Sequence, residues 1–170
     1  MLLTLRFLNL VNTRNGKILL CCDGASFGNP SNAGTGVVFR DSRSNCIGAL
    51  SRGLGICLNF LEKIIAILLS LEHAFSKGWE RVWVVSESQP IIKAFRLQKL
   101  PWYVRSRWDR VKDRFQSILF PSMYREVNFA TDHMVKSGAH LGQGSLEVYD
   151  GRPPFLPKLE LPHYVYYRFR

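Results

Sequence analysis

Three carboxylate side chains, Asp23, Glu87 and Asp132, are candidates for metal-assisted hydrolysis of a phosphodiester. Asp23 closes a strand-like run, Glu87 follows a second apolar run, and Asp132 lies near the start of a predicted helix. Hard cations such as Mg²⁺ take oxygen ligands, and a pair of them about 4 Å apart promotes such hydrolysis. A site of this kind must gather carboxylates from separate elements. Taken alone, Asp23 also fits a turn, and Asp132 fits a helix N-terminus that favours negative charge.

Four short segments follow the order and spacing of the motifs of the type 1 ribonuclease H domain. The chain most resembles the ribonuclease H-like domains that plant genomes carry in many retroelement-derived copies. The resemblance implies endonucleolytic cleavage of RNA in RNA–DNA hybrids with Mg²⁺, or with Mn²⁺ in its place. It also implies that Asp23, Glu87 and Asp132 are the catalytic residues and hold the metal. The segments are DGASFGNP at 23–30, NFLEKIIAIL at 59–68, SESQ at 86–89 and REVNFATDHM at 125–134.

Three positions depart from the pattern of that family. Lys63 stands where the family has its catalytic glutamate, Glu87 replaces an aspartate, and Ser122 stands at the histidine position. Glu62 is adjacent to Lys63, but one residue turns a helix by about 100°, so we expect Glu62 to point elsewhere. The four carboxylate positions then carry a net charge of −2 instead of −4, and the ammonium can pair with the carboxylates. We therefore expect weak or absent metal binding and impaired or absent hydrolysis.

Three short amide side chains, Asn29, Asn59 and Gln89, match family positions that contact the minor groove and the 2′-hydroxyl groups of a hybrid. Amides suit this role because they both donate and accept hydrogen bonds. Each of the three is equally consistent with an ordinary loop or helix-cap residue. The resemblance therefore implies, without requiring it, that they bind nucleic acid.

The formal net charge is +10, and the positive charge is concentrated in one stretch. Residues 93–125 contain nine Lys or Arg and two Asp, which gives a net charge of +7. A basic surface of this kind is typical of polyanion binding, so Arg105 and Arg107 are expected to contact the nucleic acid. Trp108 lies on an apolar helical stripe, which favours a core position. For Trp102, stacking on nucleic acid and an ordinary structural role both remain open.

The hydrophobic pattern predicts an α/β protein with the ribonuclease H-like fold, a mixed five-stranded sheet flanked by helices. Three antiparallel strands come first, and helical crossovers then add two parallel strands. The helix after Pro101 is predicted to continue through Ile118, because apolar residues recur along it at helical spacing. The predicted strands are 17–23, 34–41, 46–53, 81–85 and 122–127, and the other predicted helices are 60–76, one after Ser88 and one from near Phe129.

At 170 residues, the chain is long enough for one domain with a substantial core. We assign residues 17–140 to the ribonuclease H-like domain, 1–16 to a leader of unknown order, and 141–170 to a tail rich in proline and aromatic residues. No apolar run approaches the roughly 18 residues that a membrane span needs, so no membrane partner is expected. The four cysteines lack zinc-site spacing. An intracellular monomer, in the nucleus or cytoplasm, is the favoured interpretation.

Three functional interpretations remain open on the sequence. The first is a working but impaired ribonuclease H, and the second is a non-catalytic nucleic-acid-binding module. The third is a retroelement-derived relic with no selected role. Hybrid binding with a steep salt dependence separates the second from the third.

Overall fold

The computed structural model describes most of the chain. Asn29, Asn59, Ser122 and the strand predicted at 122–127 lie outside the residues that it describes, as do most of the leader and the end of the tail. The described residues are 16–27, 32–43, 45–58, 60–121 and 129–156. Among them, no helix has the length and apolar character needed to cross a membrane.

Strands and helices alternate through the described chain. The strands are β1 (Ile18–Ser26), β2 (Asn32–Arg40), β3 (Cys46–Ile56), β4 (Arg81–Val85), β5 (Ser117–Leu119) and β6 (Leu146–Asp150). The helices are α1 (Leu61–Ser76), α2 (Gln89–Arg96), α3 (Trp102–Lys112) and α4 (Phe129–His140).

All six of these strands form one mixed sheet, in the order β5-β4-β1-β2-β3-β6. β1, β2 and β3 make an antiparallel meander, and β6 is antiparallel to β3. β4 is parallel to β1, and β5 is parallel to β4. The predicted arrangement, three antiparallel strands followed by two parallel ones, is therefore present, with β6 as an additional edge strand. The second parallel strand, β5, comes from residues 117–119 and not from the predicted 122–127, which lie outside the described residues.

Two parts of the sequence-based prediction require correction. The helix after Pro101 ends at Lys112 instead of continuing through Ile118, which lies in β5 opposite Val82. The backbone N–H of Gln116 donates to the Glu80 carbonyl over 2.8 Å, so sheet pairing takes over where the helical spacing of apolar residues continues. The sixth strand, β6, comes from the segment assigned to the tail.

Helices cover both faces of the sheet and enclose two hydrophobic cores. Successive side chains of a strand point to opposite faces. Leu20 and Cys22 of β1 accordingly enter the larger core, which also holds the buried side chains of α1, α2 and α3. Leu19 and Cys21 enter the smaller core, together with Met134 of α4. The two cores fix the helices on either side of β1, which carries the first candidate site residue.

The candidate site residues lie near the carboxyl ends of the central parallel strands. Cys21 of β1 pairs with Val85 of β4, so Asp23 and Glu87 each lie two residues beyond a paired position. On the other face, the Thr131 hydroxyl donates to the Cys21 carbonyl over 3.4 Å, which brings the first turn of α4 to the same end of β1. The topology therefore brings the segments that carry the predicted carboxylates to one end of the sheet.

Candidate functional site

Lys63 and Asp23 form a salt bridge near the carboxyl end of β1. The Lys63 Nζ atom lies 2.8 Å from Asp23 Oδ1 and 2.6 Å from the Gly24 carbonyl oxygen. The backbone N–H of Gly24 also donates to Asp23 Oδ1, over 2.8 Å. Only 28% of the Lys63 side chain and 15% of the Asp23 side chain are exposed. The predicted direct pairing of this ammonium group with a carboxylate is confirmed.

A close approach between α1 and β1 brings these two residues together. Gly24 has no side chain, and a Cβ atom at this position would lie 2.6 Å from the backbone carbonyl carbon of Glu62. Any larger residue at position 24 would push the first turn of α1 away from the strand. With the helix this close, the flexible Lys63 side chain reaches the Gly24 carbonyl and the Asp23 carboxylate.

Glu62, the neighbour of Lys63, is enclosed by the protein. The residue is 2% exposed, and its Oε2 atom has no hydrogen-bond partner within the described part of the chain. Burial raises the pKa of the Glu62 carboxyl group, against smaller lowering effects of a backbone hydrogen bond and of the Lys63 charge. The Glu62 side chain also lies against Gly24, where its Cγ atom would be 2.8 Å from an added Cβ, and the Asp23 charge adds to the rise of its pKa. That Glu62 does not replace the missing glutamate stays a prediction.

The other two predicted carboxylates lie in different environments. Glu87 is half-buried in the turn between β4 and α2. Asp132 lies in the first turn of α4, where its Oδ2 atom is 2.8 Å from Lys136 Nζ and more than half of the side chain is exposed. The sequence interpretation overlooked Lys136, although its i+4 spacing from Asp132 on a predicted helix was a visible signal for an ion pair.

These residues do not fit a two-metal site. No three His, Cys, Asp or Glu side chains of the described residues form a group that could hold a metal ion. The predicted ligand set of Asp23, Glu87 and Asp132 is therefore not assembled as a cluster. Two of its members already have ammonium partners, Lys63 and Lys136. The Lys63 ammonium also donates to the Gly24 carbonyl oxygen, and such hard oxygen atoms are the ligands that Mg²⁺ requires.

The residues predicted to contact nucleic acid differ in how accessible they are. Gln89 is the first residue of α2 and is exposed. Arg105 is exposed on α3, and its Nη2 atom donates to the Gln98 carbonyl over 3.1 Å. Arg107 instead makes a two-pronged salt bridge with Glu72 of α1, with distances of 2.9 Å from Nε to Oε1 and 2.7 Å from Nη2 to Oε2. Much of the hydrogen-bonding capacity of Arg107 is thus used inside the protein.

The two tryptophans of the basic stretch occupy opposite environments. Trp108 is 5% exposed and packs edge-to-face on Phe95, with ring centroids 5.2 Å apart. The prediction of a core position for Trp108 is confirmed. Trp102, at the first position of α3, is 84% exposed. Trp102 is therefore exposed to solvent, whereas the other three tryptophans are buried or half-buried.

The sheet order and the helices on both faces define a ribonuclease H-like α/β domain, and solved structures of such domains are similar to this chain. The N-terminal RNase H domain of a Mycobacterium tuberculosis protein, solved as a fusion with maltose-binding protein, has a TM-score of 0.66 and 19% identity, over 73% of this chain and 94% of that one. RNase H1 of the archaeon Halobacterium salinarum has a TM-score of 0.66 and 21% identity, over 72% of this chain and 97% of that one. LC11-RNase H1, crystallised in complex with an RNA/DNA hybrid, has a TM-score of 0.61 and 23% identity, over 72% of this chain and 96% of that one.

The sequence also matches a known protein family over most of its length. Residues 21–138 match the family described as reverse transcriptase-like, so the chain belongs to that family. No curated protein matches the sequence.

Proposed function

We propose that this chain is a ribonuclease H-like domain that binds RNA–DNA hybrids and hydrolyses them very slowly or not at all. The observation that carries the proposal is the position of the Lys63 ammonium group, 2.8 Å from Asp23 and 2.6 Å from the Gly24 carbonyl oxygen. The motif segments around Asp23 and Asp132 also support a retroelement-derived origin, of the kind found in plant genomes.

The ammonium group opposes metal binding in two ways. It replaces one carboxylate ligand, and it adds a positive charge next to the carboxylate that would bind the metal. Unit charges about 4 Å apart interact by roughly 4 kcal/mol at an effective dielectric constant near 20. Even half of that repulsion lowers the affinity for a cation more than about tenfold. Chemistry that needs two Mg²⁺ or Mn²⁺ ions is therefore strongly disfavoured here.

Binding of nucleic acid does not depend on that chemistry. The basic stretch from Lys93 to Arg125 carries a net charge of +7, which suits a polyanionic partner. Arg105 and Gln89 are exposed, and Gln89 begins α2 immediately beyond the turn that holds Glu87. The similar LC11-RNase H1 domain has been crystallised with an RNA/DNA hybrid, which makes the same type of duplex the first partner to test.

The test is cleavage and binding of an end-labelled RNA–DNA hybrid. Wild-type protein, Lys63→Glu and the control Lys77→Glu are incubated with the hybrid in Mg²⁺ and, separately, in Mn²⁺. Lys77 forms an exposed salt bridge with Asp150 just beyond the other end of α1, so its variant makes the same charge change away from the candidate site. We expect wild-type protein to bind the hybrid, with an affinity that falls steeply with salt, and to leave it uncut.

Each outcome has a clear meaning. Cleavage by wild-type protein at a rate that depends on the metal would contradict the proposal that Lys63 blocks the chemistry. Cleavage by Lys63→Glu alone would identify the ammonium group as the main obstacle. If wild-type protein failed to bind the hybrid even at low salt, the third interpretation, a retroelement-derived relic with no selected role, would be favoured instead.

A further inference from the structure

Trp102 and Tyr103 form an exposed aromatic pair at the start of α3. They are 84% and 47% exposed, respectively. Their ring centroids lie 5.7 Å apart with an interplanar angle of 83°, so the contact is edge-to-face. In this arrangement the two rings do not stack on each other, and the large exposed fraction of Trp102 leaves a ring face available to another planar group.

The turn that precedes this pair is held in place by several contacts. Gln98 has a φ of 54°, in the left-handed region that a non-glycine residue rarely adopts. Its carbonyl oxygen accepts from Arg105 Nη2 over 3.1 Å, and its Oε1 atom accepts from Lys112 Nζ over 3.3 Å. Leu100, 5% exposed, anchors the same turn in the larger core. The aromatic pair is therefore presented from a fixed turn, and a fixed surface loses little conformational freedom on binding.

The surroundings of the aromatic pair are cationic. Lys99 precedes it and Arg105 follows it, and both are exposed. Neither forms an ion pair with a carboxylate in the part of the chain that the structure describes, and Arg105 donates to the Gln98 backbone carbonyl. Asp109, farther along α3, is already paired with Lys112 at 2.7 Å. Along the chain, the exposed rings thus lie between two exposed, positively charged residues that have no acidic partner among the described residues.

We propose that Trp102, Tyr103, Lys99 and Arg105 form a stacking platform for the unpaired bases of a single-stranded nucleic acid. Every base has a planar face that can stack on an indole ring, and neighbouring cations attract the phosphates that connect the bases. This charge complementarity favours a nucleic acid over an apolar protein surface. The inference rests on the proposed nucleic-acid binding, and it adds single-stranded regions to the RNA–DNA hybrid as partners.

The experiment separates stacking from charge attraction. Binding is measured by fluorescence anisotropy to a labelled single strand of about 12 nucleotides and to an abasic strand of the same length. The variants are Trp102→Ala and Trp102→Phe, and the control is Phe75→Ala. Phe75 is a suitable control because it is also an exposed ring, 47% exposed on α1, with the Arg114 guanidinium 5.4 Å from its centroid. Circular dichroism establishes that each variant is folded.

We expect Trp102→Ala to weaken binding of the base-bearing strand by about 5- to 100-fold and to leave the abasic strand nearly unchanged. Trp102→Phe, which retains a ring, should keep most of the affinity, and Phe75→Ala should match wild-type protein. The proposed stacking platform would be wrong if Trp102→Ala lost equal affinity for both strands or lost none for either. It would also be wrong if Phe75→Ala lost as much affinity as Trp102→Ala.

A blunt RNA–DNA hybrid, measured in parallel, keeps this test distinct from the function proposed above. If wild-type protein binds the base-bearing strand through Trp102 and ignores the blunt hybrid, hybrid binding fails and the platform stands. If it binds the hybrid and Trp102→Ala has no effect on the single strand, the platform fails and hybrid binding stands.

Discussion

The ammonium group of Lys63 and the carboxylate of Asp23 join the first turn of α1 to β1 across 2.8 Å. The same ammonium group also binds the next carbonyl along the strand, that of Gly24, at 2.6 Å. One side chain thus neutralises a carboxylate and holds a helix against the sheet. Its removal should therefore affect the stability of the fold as well as its chemistry.

Replacement of Lys63 by glutamate should make the stability of the domain dependent on metal. Lys63→Glu places a second carboxylate next to Asp23, and the lost attraction and new repulsion should cost about 1–3 kcal/mol without metal. Millimolar Mg²⁺ should recover part of this loss, whereas wild-type Tm should respond little. Thermal unfolding in EDTA and in Mg²⁺ measures both, with Lys77→Glu as the control. If Mg²⁺ raised the Tm of wild-type protein as much as that of Lys63→Glu, the inference that Lys63 opposes metal binding would be wrong.

Arg105 and Arg107 should have different roles although they are two residues apart on one helix. Arg107→Ala removes the two-pronged contact with Glu72 and should mainly lower the free energy of unfolding, by about 1 kcal/mol for this partly exposed pair. Arg105→Ala should mainly weaken hybrid binding and reduce the salt slope by about 0.9 if Arg105 contacts one phosphate. Urea unfolding and salt titrations distinguish the two. A larger binding defect in Arg107→Ala would reverse the assignment.

The contact of α4 with β2 should not tolerate a side chain at position 36. A Cβ atom on Gly36 would lie 2.6 Å from the backbone carbonyl carbon of Met134, so the helix that carries Asp132 would have to move. Gly36→Ala should cost about 1–3 kcal/mol or more. Gly142→Ala is the matched control, because its Cβ would meet only the Ser145 hydroxyl, at 3.4 Å. Chemical denaturation measures both, and equal stabilities would show that the helix can shift at little cost.

Acidification should destabilise the domain through His73. Burial lowers the pKa of His73, aided by the Lys77 charge and opposed by that of Asp150. In the folded state the pKa lies below the unfolded value of about 6.5, so the unfolded chain binds more protons between the two values. The contribution of neutral His73 to the free energy of unfolding should be fully present above about pH 6.5 and fall as the pH drops through this window.

The matched variant for this pH effect is His73→Phe. It keeps a ring next to Phe39, which now stacks on His73 with centroids 4.7 Å apart, and it removes the titrating group. Thermal unfolding from about pH 7.5 to about pH 5 should show a wild-type Tm that falls more steeply than that of the variant. Parallel profiles would show that another group governs the acid limb.

The site was predictable from the sequence where it depends on the register of one element. Lys63 was expected at the missing glutamate position, and it lies against Asp23, because helical spacing fixes which side chain faces the strand. The partner of Arg107 was not predictable, because Glu72 is on another helix and the pair exists only once α1 and α3 pack. Local periodicity carries no information on such packing.

The fold was predictable up to the edges of the sheet. The meander, the crossover to β4 and the helices on both faces follow from alternating and helical apolar patterns. β5 was missed because Phe115 and Ile118 continue the helical spacing of α3. β6 was missed because its segment was assigned to the tail rich in proline and aromatic residues. In the structure its apolar residues Leu146 and Val148 are 49% and 45% exposed, so they add no apolar face to the core. Edge strands of this kind are recognised by backbone pairing, and the sequence does not display that pairing.

The pairing of β6 with β3 has a consequence for the order in which the protein assembles. Gly48 is opposite Asp150, so the last strand of the described sheet closes a contact across most of the chain. Contacts between such distant residues form late, because a long loop must be closed first. During synthesis, β3 emerges long before its partner and has an unpaired edge until β6 follows. Ribosome-bound chains that stop before Leu146 should therefore be the species most prone to strand-mediated association.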